Sequence, residues 1–463
     1  MKSLSFSTHI KAGVDEVYRW HIRPQAFRRL VPPWTPFKLI SHDGVAPGSR
    51  AVFRIKAGPF SFKWTTEHAD IVENTQFRDV QVRGPFGHWS HLYRFSVDGA
   101  DCRLVDDIEY ELPFSFLGKM IAGRFARDEI VRAMRYRQAT AKNDIELHRR
   151  YAPREPMRVA VSGSSGLVGR NLIAFLEAGG HTVYRLVRRP PLEPAREIYW
   201  NHREDIVEMH RLENLDAVVH LAGEAVLAPR WSAQKKMEIF GSRVRGTEHL
   251  TRALGKLNRP PRVFVSASAV GYYGDRGDEL LDENAQPGDD GFLSAMCQEW
   301  EAAAELAAEA GIRTVRLRIG IVLSPDGGVL RALLVPFRLG LGGRYGGDQQ
   351  YLSWVDLDDA IGAIYHAICR EDSRGAYNLS SPSPITMAVF GGTLGSILSR
   401  PTYLHVPPAL VRLLLGEVAD DAALMSVRAR PSRLLREGYS FLYPRLEHAL
   451  RHSLGRAAEP APR

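Results

Sequence analysis

The chain has 463 residues, 44% hydrophobic and 25% charged, which is enough for two or three packed cores and too apolar for a disordered chain. Its net charge of +8 is spread along the sequence, with local excesses at 124–154 and 428–436 that match no nucleic-acid motif; these read as solvated helix faces, and no nucleic-acid partner is expected. No apolar run approaches the ~20 residues of a membrane helix, residues 1–18 lack the apolar core of a signal peptide, and Cys102, Cys297 and Cys369 are too far apart for a disulfide framework or a zinc pattern, so a cytoplasmic protein is expected.

Residues 1–150 read as an α+β domain. Residues 3–10 alternate as a strand, and 15–30 hold a short helix or two anchored by Tyr18, Trp20 and Phe27. Strands follow at 50–56, 60–71, 76–83, 88–97 and 102–111, with turns at Gly84-Pro85-Phe86-Gly87 and Gly99-Ala100-Asp101. After Pro113 a long helix is expected over 117–148, with Met120, Ile121, Phe125, Ile130, Val131, Met134 and Ile145 facing inward. This order, with the alternating Trp89, His91, Tyr93, Phe95 and the stretch from Asp106 through Tyr110 to Leu112-Pro113-Phe114, resembles the helix-grip fold of the START and polyketide-cyclase-like (SRPBCC) superfamily. The resemblance implies a sheet curled around the last helix and a cavity for an apolar ligand. Phe60, Phe62, Trp64, Trp89, Tyr93 and Tyr110 either line that cavity or fill the core. His88 and His91, three apart on a strand, point to opposite faces, so no metal is expected there.

Residues 151–156, with two prolines and no apolar pattern, form a linker. The β-branched run around Val159 and Val161 then ends in Gly163-Ser164-Ser165-Gly166-Leu167-Val168-Gly169, followed by a helix over 167–178. Such a strand, tight turn and helix start place backbone N–H groups and a helix N-terminus against a pyrophosphate. Gly163 permits the turn, Gly166 lets the backbone approach the phosphates, and Gly169 lets helix and strand pack closely. Strands at 181–187, 198–200, 216–221, 262–268 and 313–319 alternate with helices at 232–257 and 292–310, the pattern of an α/β doubly wound parallel sheet, a Rossmann fold. Residues 157–352 are its dinucleotide-binding part, 353–452 its C-terminal part with a small substrate-side lobe, and 453–463 an alanine- and proline-rich tail.

The second strand of that sheet ends in Val187-Arg188-Arg189-Pro190, where an acid to the adenosine ribose is usual. A guanidinium there pairs with a 2′-phosphate and a carboxylate repels it, so NADP(H) is expected over NAD(H); the alternative is a solvated arginine pair.

The segments Asp216-Ala-Val-Val-His-Leu-Ala-Gly223-Glu224, Gly241-Ser-Arg-Val-Arg-Gly-Thr247, Val265-Ser-Ala-Ser268 and Gly271-Tyr-Tyr-Gly274 are similar to the extended short-chain dehydrogenase/reductase family. Arg230-Trp231, Pro336-Phe-Arg-Leu-Gly-Leu-Gly-Gly343, Trp354-Val-Asp-Leu-Asp-Asp359 and Gly438-Tyr-Ser-Phe-Leu-Tyr-Pro444 resemble its epimerase-family branch. That resemblance places Leu221, Ala222 and Gly223 on the ribose side of the cofactor, Glu238 and Arg243 facing it from the neighbouring helix, and Val322 near the nicotinamide. It also implies a Tyr-x-x-x-Lys pair and a serine, in which the lysine cation and the cofactor tune the phenol for proton transfer. Ser268 matches the serine, but the pair falls on Phe292 and Met296. Tyr272 or Tyr273 could replace the acid/base, or both could be packing residues; Cys297 reads as a buried thiol.

Two functions follow. One is an NADP(H)-dependent oxidoreductase or epimerase-type enzyme on an unknown small molecule, with Ser268 orienting a substrate oxygen and Tyr272 as acid/base. The other is a non-catalytic sensor whose cofactor state alters a partner interaction. A sugar-nucleotide epimerase is disfavoured by the missing tyrosine and lysine.

Overall fold

The computed structural model describes residues 1–57, 60–113, 116–151, 155–226, 230–289 and 291–456. Phe114, residues 152–154 of the expected linker and 457–463 of the expected tail lie outside them, as do the side chains of Phe60, Met120 and Ile121. The chain forms two compact units: Met1–Glu155 with Ala174–His181 and His452–Arg463, and Pro156–Ile173 with Thr182–Arg451.

In the first unit, β1 (Lys2–Ile10), two short helices, α1 (Val14–Ile22) and α2 (Pro24–Arg29), and the strands β2 (Phe37–His42), β3 (Arg50–Ala57), β4 (Phe60–Val72), β5 (Gln76–Arg83), β6 (His88–Asp98) and β7 (Asp101–Glu111) precede the 35-residue helix α3 (Phe116–Arg150). The sheet is antiparallel in the order β1-β7-β6-β5-β4-β3-β2. Alternation turns one face inward, so Leu104, Ile108 and Tyr110 of β7 are buried while Arg103 and Glu109 are exposed. Along α3 the buried stripe runs through Ile130, Met134, Ala141 and Ile145 at helical spacing. Phe125 is off that stripe: five residues before Ile130 it is rotated well away from the sheet, and it is 62% exposed rather than inward as its apolarity suggests. Strand β2 was not expected either. It follows Pro32, Pro33 and Pro36, and a bulge between Leu39 and Ser41 breaks its alternation.

The second unit is an eight-stranded sheet of β8 (Arg158–Ser162), β9 (Thr182–Val187), β10 (Glu197–Asn201), β11 (Ile206–Val207), β12 (Ala217–His220), β13 (Val263–Ala269), β14 (Arg313–Ile319) and β15 (Gly375–Leu379), in the order β11-β10-β9-β8-β12-β13-β14-β15. Every neighbouring pair is parallel except β10 with β11. Its helices include α4 (Leu167–Ala178), α5 (Ala233–Phe240), α6 (Gly246–Leu254), α7 (Phe292–Glu309), α8 (Gly328–Arg338) and α9 (Leu357–Cys369). The helix expected over 232–257 is not continuous: a π-helical turn, Gly241–Arg245, separates α5 from α6. The segment after residue 353 supplies the edge strand β15 and the fully buried helix α9, so it contributes to the Rossmann core as well as to the short strand pairs outside it.

Candidate functional site

From β8 the chain moves outward through β9, β10 and β11, then returns to the other side of β8 with β12. The reversal leaves a crevice beyond the C-terminal ends of β8 and β12, where such sheets bind ligands. Gly163, the residue after β8, has φ +66°, and a Cβ on it would lie 2.6 Å from the Leu221 carbonyl oxygen. A Cβ on Gly169 would lie 2.3 Å from the Gly163 carbonyl oxygen, so only glycine lets α4 seat on the turn. Gly166 and Ser165 are exposed, Ser164 is half-buried, and the Gly166 N–H donates to the Gly163 carbonyl at 2.9 Å. The turn thus opens the N-terminus of α4 toward the crevice, a cradle that suits a pyrophosphate.

Beside it lies a cleft of about 320 Å³, lined by Gly163, Gly166, Leu167, Val168 and Gly169 from the turn, Leu221 from the end of β12, and Ala267, Ile319, Ile321, Val322, Gly328 and Val329 beyond. Of the residues carried over by resemblance, Leu221 and Val322 are in this lining; Ala222, Gly223, Glu238 and Arg243 are not. A pair of side chains missed in the sequence fixes the β8–β12 junction. Ser162 Oγ accepts from the Leu221 and Ala222 N–H groups (3.1 and 3.2 Å) and is hydrogen-bonded to His220 Nδ1 (2.7 Å). Burial pushes the His220 pKa down to about 3, so it is a neutral clamp, edge-on to Trp200.

On the adenosine side the two arginines after Val187 differ. Arg189 makes two bonds to Glu197 (2.8 and 3.0 Å), which lower the buried Glu197 carboxyl to about 2. Arg188 is exposed and has no ion-pair partner among the described residues. Arg203 and Arg245, also exposed and unpaired among the described residues, belong with it: burial, then the charges of Arg203, Arg188, His249 and Arg245, push the nearby His202 down to about 4. Neither Arg203 nor Arg245 stands out in the sequence, because the β10–β11 turn and the π turn that bring each within reach of His202 are set by the fold. Arg243 lies across Gly223, where a Cβ would meet its guanidinium at 2.9 Å, donates to the Glu224 carbonyl (2.8 Å) and covers the Trp300 ring. Glu238 is half-buried on α5, accepting from Gln234 (3.2 Å).

On the other side, Ser268 is 3% exposed, and its hydroxyl donates to Glu301 (2.8 Å), so its proton is committed within the protein and not to a substrate oxygen. Glu301 in turn pairs with Arg318. Tyr273 is fully buried; its hydroxyl donates to Asn378 (2.7 Å) and accepts from Arg318 (2.9 Å), and burial raises it to about 12. Tyr272 is half-buried, with its ring stacked on Arg318. Phe292 packs edge-on to Trp231 at 5.3 Å, and Met296 is 2% exposed in an apolar cluster with Cys297 and Trp300. Cys297 is a buried thiol pushed up to about 12, unsuited to nucleophilic work.

In the first unit His91 is 4% exposed and bonded through Nε2 to Asp106 (2.9 Å), which also accepts from Gln138 (2.7 Å). No metal-binding group occurs among the described residues. Trp64 packs against Trp89 (5.2 Å between rings), and Tyr93 stacks between His91 and Phe77, so these aromatic residues fill much of the sheet's inner face with one another.

Residues 159–380 match the NAD-dependent epimerase/dehydratase family. Residues 406–453 match a domain of unknown function, DUF1731, and 10–135 the polyketide cyclase/dehydrase and lipid transport family. An epimerase family protein of Mycobacterium tuberculosis is 41% identical over 298 residues, covering 64% of this chain and 98% of that protein. The chain belongs to this epimerase family. Human epimerase family protein SDR39U1 is 36% identical over 297 residues, 64% of this chain and 99% of its own length. Among solved structures, the nucleoside-diphosphate sugar epimerase from Corynebacterium glutamicum has a TM-score of 0.80 at 30% identity, covering 98% of this chain and 90% of that one. Human SDR39U1 solved with NADPH has a TM-score of 0.59 at 33% identity, covering 65% and 99%. This is therefore a short-chain dehydrogenase/reductase-like protein of the epimerase family, with an N-terminal polyketide-cyclase-like region.

Proposed function

We propose that the second unit is an NADP(H)-dependent oxidoreductase acting on a small carbonyl compound or the matching alcohol. The observation that carries the choice of cofactor is the division between Arg189, spent on Glu197, and Arg188, left in solvent with Arg203 and Arg245 nearby. Three unpaired guanidinium groups suit a dianionic 2′-phosphate and have no counterpart need in NAD(H). The NADPH in the human relative's structure supports the same choice. When bound, the nicotinamide supplies or takes the hydride. The chain's own residues do the rest: the glycine turn and the N-terminus of α4 take the pyrophosphate, and Ala267, Ile319, Ile321 and Val322 give an apolar wall that excludes water from the reacting end.

Phe292 and Met296 favour a second reading, a non-catalytic sensor of the cofactor, because neither can handle a proton. Sugar-nucleotide epimerisation would need an acid/base where Phe292 stands. The two readings separate on turnover. The purified chain, saturated with NADPH, is offered a panel of aldehydes, ketones and quinones; continuous NADPH oxidation with any of them supports the enzyme, and saturable binding with no oxidation across the panel supports the sensor.

A further inference from the structure

Outside the central sheet, one surface of the second unit combines exposed apolar side chains with cations and lacks carboxylates. Residues 327–347 and 385–416 hold Arg331, Arg338, Arg344, Arg400 and Arg412 and not one Asp or Glu. The two segments are joined in space. The short strand Gly343–Tyr345 pairs in parallel with Leu404–Val406, and α10 (Met387–Leu398) seats so closely on the first that a Cβ on Gly391 would lie 2.8 Å from the Gly343 carbonyl oxygen. Arg400 Nε donates to the Arg338 carbonyl at the end of α8 (2.9 Å), and a Cβ on Gly340 would touch Pro401 at 3.8 Å. Along α8 and its C-cap, Arg331, Val335, Arg338 and Leu339 recur at helical spacing, all exposed, so one stripe mixes cations with apolar groups. Leu341, Tyr403 and Leu404 continue it across the strand pair, Tyr403 with 93% of its surface exposed. Helix α11 (Pro408–Leu415) starts two residues beyond that strand and reverses the usual order of a surface helix. Leu410, Leu413 and Leu414 share its outer face, 42, 67 and 60% exposed, and only Val411 is buried.

Scattered exposed leucines need no explanation, but a contiguous group of them marks an interaction surface. The charges say what covers it. Arg344 pairs with Asp348 (2.7 Å) and Arg412 with Asp420 (2.9 Å), both acids lying outside the two segments, whereas Arg331, Arg338 and Arg400 have no ion-pair partner among the described residues. A second copy of the same face would set these cations against one another. We propose that this face docks on an anionic lipid surface. The α11 leucines enter the boundary of the acyl chains, Tyr403 sits at the headgroup level, and the three free guanidinium groups meet lipid phosphates. Helix α11 lies in the plane of the interface: its 8 residues are far short of the ~20 that a span requires. The proposal is independent of the oxidoreductase reading, because none of these side chains lines the cleft beside the glycine turn.

The test is sedimentation of the full chain with vesicles of phosphatidylcholine, with and without phosphatidylglycerol. Binding should be at least about tenfold stronger to the anionic vesicles. Leu413→Gln combined with Leu414→Gln should weaken it about tenfold or more, and Arg331→Gln combined with Arg338→Gln about fivefold for each charge removed. All four side chains are exposed, so both variants should keep the parent's unfolding midpoint. In Leu413→Trp, the new indole should emit at shorter wavelength on the anionic vesicles and be quenched by brominated acyl chains. No binding to the anionic vesicles, or equal binding to both kinds, overturns the proposal. So does binding that the leucine variant leaves unchanged, which would be adhesion of a basic chain by charge alone. A dimer in light scattering that the leucine variant turns into monomers, without vesicle binding, would assign the face to a second copy and overturn the proposal as well.

Discussion

Glu197 takes the Arg189 guanidinium into a two-point bond and leaves that of Arg188 in solvent, a division that an Arg-Arg dipeptide in a sequence cannot express. The same applies to Ser268, legible as the family serine, whose proton goes to Glu301 because α7 lies against the end of β13. Glycine was easier to read. Gly163 combines a left-handed φ with a Cβ position blocked by the Leu221 carbonyl, two independent reasons for one residue. Gly163→Ala should therefore cost about 3 kcal/mol of stability in denaturant titration, and weaken NADPH binding at least as much as Arg188→Ala does. A variant as stable as the parent would show that the turn adapts and that the residue was not fixed by its geometry. His220 was missed because a histidine inside an apolar strand has no pattern; only its contact with Ser162, 58 residues earlier, shows its task.

At the scale of elements, strands β3 to β7 were legible because one face of each is buried and alternation survives in the sequence. Helix α9 was not delimited; every residue of Leu357–Cys369 is buried, its polar Asp358, Asp359 and His366 included, so burial there does not follow polarity. The π turn at Gly241–Arg245 was invisible for another reason: it is set by tertiary contacts, with Ser242 Oγ accepting from the Glu224 N–H (2.8 Å) and donating to the Ile239 carbonyl (2.9 Å). Helix α7 begins at Phe292 without a side-chain cap of its own, and Asp421 caps it from far along the chain, accepting from the Phe292 and Leu293 N–H groups (2.7 and 3.2 Å). Its interior argues against simply restoring the family pair. Met296→Lys would bury an ammonium among Ile239, Trp300 and Leu293, at a cost of about 3 kcal/mol in chemical unfolding. An unchanged midpoint would mean that water reaches this position and that the cluster is not closed.

The segment 439–443 is held to α9 by Asp359, which accepts from the Leu442 and Tyr443 N–H groups (2.6 and 2.9 Å). Burial raises its carboxyl from 3.8 to about 7. The folded state then keeps a proton that the unfolded chain has released, so this group's stabilisation is complete below pH 3.8, falls as pH rises, and is lost through about pH 7. Asp359→Asn should flatten that part of the stability profile measured by denaturant unfolding across the same range; an identical slope in the variant would remove Asp359 from the account.

For the molecule as a whole, both sheet types could be read because half-buried alternation in the first sheet and fully buried runs such as Ala217–His220 in the second are distinct patterns. The binding crevice follows from that topology, at the reversal between β8 and β12. The cofactor's identity does not: the proposed choice of NADP(H) rests on Arg188, with Arg203 and Arg245, which act on the same His202 from other parts of the chain. Calorimetric titration of the intact chain with NADPH and with NADH, repeated on Arg188→Ala, tests that claim directly. Binding of NADPH at least about tenfold tighter than NADH, with the preference lost in the variant, is the predicted result. Equal affinity for both nucleotides, or a preference that survives without Arg188, would contradict it.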